Sequence, residues 1–308
     1  PKPSPEIRAE DSPMKIFLTG GSGLIGGELV RQLALEGHEL TLFTHRNAPP
    51  GNFKTIQSFD QIGGHESFDI VVNLAGAPIM GSRWSDARKK ELISSRVDLT
   101  NALVQMLSRL KKPPRLLMSG SAIGIYGDHG DEILTEQGET WGGFGHELCK
   151  AWEQAALGAS NLGTRTIILR TGLVVASSGG FLEAMKTPFR LGLGGPLASG
   201  NQWMSWISLE DHVRLMRMLM NQSTASGIFN LTAPSPVTNS DFTRKLAALC
   251  RRPAVFRLPA TLLNLALGEM ATLLTESQRV VPARALDLGF DFRHETIDRA
   301  LEMAFSAP

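Results

Sequence analysis

One tyrosine, Tyr126, stands in 308 residues, and the residue four places after it is Gly130. No phenol can therefore share a helical turn with a lysine, which excludes the commonest way of readying a tyrosine for proton transfer. Cysteine is almost as scarce. Cys149 and Cys250 have no metal-ligand spacing and form no disulfide framework, a pattern that suits a reducing cytoplasm and two buried thiols. Charge of one sign is absent too: 31 basic residues face 30 acidic ones, so no broad field supports a nucleic-acid or membrane-surface partner. The most apolar window, 258–274, is broken by Glu269 and is short of the roughly 20 residues a membrane span needs; it reads as a packed or interface helix. Residues 1–13 are polar with four prolines and no apolar signal-peptide core, so they read as a disordered tail before a natural start near Met14.

From Lys15 onward, short apolar runs alternate with amphipathic stretches. "KIFLT", "ELTLF", "FDIVVNLA", "RLLMSG" and "TRTIILR" read as strands; 24–36, 85–110 and 144–158 read as helices between them. That order predicts an α/β fold, a Rossmann-type doubly wound parallel sheet covered on both faces. After Thr171 the chain turns rich in Gly and Pro, "SSGGFLEAMKTPFRLGLGGPLASGNQ", and reads as an irregular lobe over the sheet's carboxyl edge. The expected division is a Rossmann domain over 14–175, rejoined by 206–232, and a smaller α/β substrate lobe from 176–205 and 233–308.

Directly after the first strand comes "TGGSGLIGGELV", with Gly20, Gly23 and Gly26 spaced Gly-x-x-Gly-x-x-Gly. Following a strand and opening a helix, this is the context of a dinucleotide fingerprint. Glycine permits the tight turn and the close approach of a pyrophosphate, and the helix amino end presents free N–H groups to the anion. Gly20, Ser22, Gly23, Leu24, Ile25 and Gly26 are the expected contacts. A ligand-free glycine turn is the plainer alternative.

An acid at the end of the second strand would bond an adenosine ribose 2′-hydroxyl. Here the strand ends "LFTHRNAP" without one, and Arg46 offers a fixed positive fork for a 2′-phosphate, which favours NADP(H) over NAD. A solvated surface arginine is the alternative. At the end of the fourth strand, "NLAG" brings Leu74, Ala75 and Gly76 to the edge where such sheets bind ligands.

Beyond these motifs the chain resembles the extended short-chain dehydrogenase/reductases. More narrowly, it is similar to their atypical epimerase family (nucleoside-diphosphate-sugar-epimerase-like) group. The resemblance spans nearly all of 14–305 and is carried by "NLAGAPI", "RWSDARKKELISSRV", "SGSAIGIYGD", "PFRLGLGGPLASGNQWMSWI", "FNLTAPSPVTNSDF" and "LGEMATLLTESQRVVP". It implies an NADP(H)-binding domain with a small lobe closing over a substrate cleft. It also implies cofactor contacts at Arg46, Leu74, Ala75, Glu91, Arg96 and Leu173. An exposed Glu91 in a local ion pair is the competing reading.

Ordinary members of the wider family use Ser, Tyr and Lys. Ser121 matches the Ser position, with a strand-end hydroxyl as the alternative. For "FGHELCKAWE" two registers compete: anchoring on Lys150 puts His146 in the Tyr place, whereas anchoring on Glu153 puts Gly145 and Cys149 in the dyad places. Tyr126 and His146 are the candidate substitutes, the first with a high ordinary pKa, the second titrating near neutrality. Arg96 stands where the family usually carries Asn, and offers a clamp for a phosphate or substrate carboxylate. Gln202 and Trp206, with Trp203, suggest a substrate face, or core aromatics. Two functional readings follow: an oxidoreductase or epimerase on a carbonyl or sugar-like substrate, and a non-catalytic NADP(H)-binding redox-sensing module. The sequence leaves the substrate and the oligomeric state open and shows no metal site.

Overall fold

The computed structural model describes residues 13–44 and 50–306. Seven parallel strands form the main sheet: β1 (Lys15–Thr19), β2 (Glu39–Phe43), β3 (Lys54–Ile56), β4 (Ile70–Asn73), β5 (Leu116–Ala122), β6 (Arg165–Thr171) and β7 (Gly227–Leu231). Their order across the sheet is β7-β6-β5-β4-β1-β2-β3. Chain direction along the sheet reverses between β1 and β4, and the carboxyl ends of those two strands define the crevice where such folds bind ligands. β4 and the inner part of β1 are buried on both faces, which is why they read as unbroken apolar runs and not as alternating ones.

Helices cover both faces. α1 (Leu24–Leu35) turns Leu29, Val30 and Leu33 onto one side of the sheet. The long stretch expected over 85–110 is instead α2 (Asp86–Ile93), a π turn (Ser94–Asp98) and α3 (Leu99–Ser108). Ser94 and Ser95 donate their hydroxyls back to the Glu91 and Leu92 carbonyls, a local competition that loosens the α-helical ladder there. α4 (Phe144–Leu157) matches the third expected helix and buries Leu148, Cys149, Trp152, Glu153 and Ala156.

The segment after β6 is less irregular than its glycines suggest. It contains α5 (Gly180–Arg190), launched by Gly179 and Gly180 at positive φ and anchored by buried Leu182, Lys186 and Phe189. Strand 206–208 pairs with 173–175 and not with the main sheet, whereas β7 takes the edge beside β6. Between them α6 (Leu209–Asn221) is capped by the Ser208 hydroxyl. α7 (Asn239–Cys250) and the helix Ile297–Ser306 pack into a hydrophobic cluster separate from those of the main sheet, where Trp206, Phe242, Leu246 and Leu301 meet. Among the described residues no helix is long and apolar enough to cross a membrane, and no group of His, Cys, Asp or Glu could hold a metal ion.

His212 in α6 reports on this packing. Its Nε2 faces the Thr171 hydroxyl at 3.0 Å, its Nδ1 has no partner, and burial pushes it from an ordinary 6.5 down to about 3. The unfolded chain thus takes up this proton near pH 6.5 while the native one refuses it until about pH 3, so stability falls as pH drops through that window. Urea midpoints at pH 7 and pH 5 should separate more for the native sequence than for His212→Asn; equal separations would exclude His212 as the source.

Candidate functional site

The glycine loop is packed as tightly as its spacing implies. Gly20 has φ +76°, and a Cβ on it would lie 2.6 Å from the Leu74 carbonyl carbon. A Cβ on Gly26 would lie 2.2 Å from the Gly20 oxygen, so the helix and the turn touch backbone to backbone. Gly23 donates to Gly20 O at 3.0 Å and occupies the N-cap of α1. No side chain caps this helix and no acid sits in its first turn, so its positive dipole end is not neutralised there, and Ser22 is exposed beside it.

The neighbouring edge is held by a buried polar network. Thr19 donates to Asn73 Oδ1 at 2.8 Å and accepts from the Ala75 N–H at 3.2 Å. Asn73 in turn donates to Thr100 at 2.8 Å and to Ser119 at 3.2 Å, and the Trp152 indole donates to Thr100 at 3.1 Å. These bonds fix the loop after β4, leaving Leu74 and Ala75 half-buried and Gly76 exposed against the Arg96 guanidinium. Glycine loop, Leu74, Ala75, Gly76 and Arg96 therefore lie together. Glu91 does not join them: it is exposed and pairs with Arg88 at 2.6 Å, the local ion pair that was its alternative. Leu173 is half-buried at the start of the strand paired with 206–208. Arg46 lies outside the described residues.

Deeper in, Ser121 ends a chain of buried groups that the sequence reading missed. Its hydroxyl donates to Glu153 Oε1 at 2.6 Å, and Arg170 forks both carboxylate oxygens through Nε and one terminal nitrogen at 2.9 Å each. Glu153 and Arg170 are 7% and 5% exposed, so this pair is shielded from water. Burial opposes the Arg170 charge, yet the Glu153 carboxylate more than offsets it and holds the guanidinium above its ordinary pKa. The Arg170 guanidinium also lies 4.9 Å from the Tyr126 ring centre. The "AWE" register carried the signal: Gly145, Cys149 and Glu153 recur every four residues on the face of α4 turned toward Ser121. Cys149, in the place of the dyad's second member, is pushed up to about 11 by burial and then by Glu153, so it stays a thiol.

The proposed substitutes for the dyad are occupied otherwise. Tyr126, expected in a loop within reach of the cleft, is 0% exposed and donates to Asn230 Oδ1 at 2.8 Å, with burial raising its pKa further. His146 is buried and its Nδ1 faces the Ile125 carbonyl at 2.7 Å; since a carbonyl only accepts, the proton sits on Nδ1. The expected substrate face is corrected in the same way. Gln202 is 5% exposed and spends its amide on the Leu197 and Leu274 carbonyls; Trp206 is 1% exposed and donates to Ser235 O. Both are engaged with backbone carbonyls inside the protein.

Known proteins match this arrangement along almost the whole chain. The family model of the NAD dependent epimerase/dehydratase family matches residues 16–232, and that of a domain of unknown function matches residues 258–304. An epimerase family protein of Mycobacterium bovis is 36% identical over 299 residues, covering 95% of this chain and 98% of its own. The crystal structure of a human epimerase family protein with NADPH has a TM-score of 0.86 at 30% identity, over 96% of this chain and 100% of that one. UDP-glucuronic acid 4-epimerase from Bacillus cereus, in complex with UDP-glucuronic acid and NAD, has a TM-score of 0.75 at 14% identity, over 95% and 98% of the two chains, a likeness of fold alone.

Proposed function

The chain belongs to the NAD dependent epimerase/dehydratase family, within the extended short-chain dehydrogenase/reductases, and on that premise we propose an NADP(H)-dependent oxidoreductase or epimerase acting on a carbonyl or sugar-like substrate. The observation that carries this reading is the uncapped amino end of α1, closed on Gly20 so tightly that a single Cβ on Gly26 does not fit. Such an end leaves its first N–H groups without intrahelical acceptors and carries a positive dipole, the requirement for a pyrophosphate. Gly20, Ser22, Gly23, Leu24, Ile25 and Gly26 would hold that group. Leu74, Ala75 and Gly76 would bed the rest of the nucleotide, and Leu173 would line its nicotinamide end. Arg46, with no acid at the end of β2, would take the 2′-phosphate, and the related human structure with NADPH supports that choice. The bound nucleotide supplies hydride chemistry; the chain supplies its orientation and the Ser121 hydroxyl at the carboxyl edge. Near-balanced charge favours a small-molecule substrate over a nucleic acid or a membrane.

A specific observation favours a second reading, a non-catalytic NADP(H)-binding redox sensor. Tyr126, His146 and Ser121 each have their proton directed at a protein acceptor, so none of these three candidates stands ready to exchange one with a substrate. The two readings separate in one assay. NADPH oxidation by the purified protein is followed against carbonyls, sugar nucleotides and quinones, with Ser121→Ala alongside. Turnover that falls at least tenfold in Ser121→Ala supports the enzyme; NADPH binding with no turnover on any substrate sinks it and leaves the sensor.

A further inference from the structure

Two arginines, one buried and one half-buried, are treated in opposite ways. Arg170 is given a carboxylate, Glu153, on both forks. Arg96 is half-buried, and among the described residues no carboxylate faces it. Its guanidinium lies 5.3 Å from the centre of the Trp152 ring, and one terminal nitrogen donates to Ala77 O at 2.8 Å. The other terminal nitrogen reaches the Leu92 carbonyl and the Ser95 hydroxyl only at 3.4 Å, and Nε has no protein partner among the described residues. Burial lowers its pKa first of all and the Arg88 charge lowers it further, while the neighbouring Cys149 stays a neutral thiol and offers no counter-charge. A cation drawn from water without a counter-ion is costly, and a fold that needed only packing there would do better with a neutral chain.

The surroundings hold this cation in place. Arg96 sits in the π turn, a feature frequent at functional sites. Its guanidinium is fixed between the Trp152 ring and Gly76, where a Cβ would lie 2.9 Å from its central carbon. Arg88 also ties down this loop, donating to the Pro78 carbonyl, but its charge is met by Glu91 at 2.6 Å. One positive charge is thus left over beside Ala77 and Pro78. Gly76 is two residues beyond Leu74, whose carbonyl carbon closes on Gly20 of the glycine loop. Cys149, the second dyad place, is also near enough to act on the guanidinium, so Arg96 lies between the glycine-loop side of the site and the dyad position.

We propose that Arg96 binds a carboxylate of the substrate, so that the site selects carbonyl compounds carrying a single carboxylate over neutral ones. A lone planar fork with one uncompensated charge matches a monoanionic carboxylate in both geometry and charge. The assignment moves Arg96 from the nucleotide, where family resemblance puts it, to the substrate. It rests on the NADP(H) reading above and specifies its substrate class.

The test uses the whole chain saturated with NADP⁺, titrated calorimetrically with 2-oxobutyrate and with butanone, which differ in the carboxylate. The native protein should bind 2-oxobutyrate at least ~30-fold more tightly than butanone, and Arg96→Met should erase that preference while costing NADPH far less. Arg96→Lys keeps the charge but not the fork and should retain part of the preference. A native-like circular dichroism spectrum and unfolding midpoint in Arg96→Met guard against loss of fold as the cause of a lost preference. Equal binding of the two probes, binding of neither, or a parallel fall of NADPH and 2-oxobutyrate in Arg96→Met overturns the proposal. Failure of the native protein to bind NADPH would instead remove the reading beneath it.

Discussion

Glu153→Ala is expected to destabilise the protein by about 3–5 kcal/mol, because it leaves Arg170 charged and unpaired in a buried site. The loss is larger than that of an exposed ion pair, which is worth about 1 kcal/mol or less. Three hydrogen bonds lean on this carboxylate: two from Arg170, and one from Ser121 at 2.6 Å. Glu153→Gln keeps shape and one acceptor but removes the charge, so it should recover only part of the loss. The double variant Glu153→Met with Arg170→Met removes both charges together and should be markedly more stable than Glu153→Ala. Denaturant unfolding of the four proteins decides it; a double variant as unstable as the single one would mean that packing, not charge, holds this site.

Gly26→Ala is expected to reduce NADPH affinity on the order of 100-fold, the scale of loss that ångström misplacement brings to a preorganised site. The new Cβ would stand 2.2 Å from the Gly20 oxygen, and both partners are backbone, so no side chain can swing away. Either α1 or the turn must move by roughly 1 Å to restore ordinary contact distance. Away from the loop the substitution should be mild, since alanine suits a helix interior better than glycine by about 1 kcal/mol. Native-like circular dichroism with lost binding is therefore the expected pair of results. Gly27→Ala is the control: its Cβ would meet the Gly21 oxygen at an ordinary 3.6 Å, and binding should persist.

The sequence made the scaffold legible because its signals are local. Strands "KIFLT" and "ELTLF" appear at the expected residues, and the glycine spacing names the turn, since positive φ at Gly20 and backbone contact at Gly26 demand residues without a Cβ. What failed to show were partnerships across the fold. Ser121 and Glu153 are 32 residues apart and Tyr126 and Asn230 are 104 apart, and no periodicity links such pairs. Tyr126 and His146 looked chemically available only because a sequence cannot show that Asn230 and the Ile125 carbonyl already receive their protons. Trp206 and Gln202 misled for the same reason: an aromatic and an amide beside a cleft-covering segment serve a lobe's core equally well. The helix 85–110 was legible except at its break, where two serines back-bond to carbonyls three residues earlier.

The most direct measurement is a calorimetric titration of the purified protein with NADPH and, separately, with NADH. Saturable one-to-one binding of NADPH, with NADH weaker by about tenfold or more, is the result expected from an uncapped α1 and from the proposed pairing of a 2′-phosphate with Arg46. Binding of neither nucleotide, or equal binding of both, would contradict it.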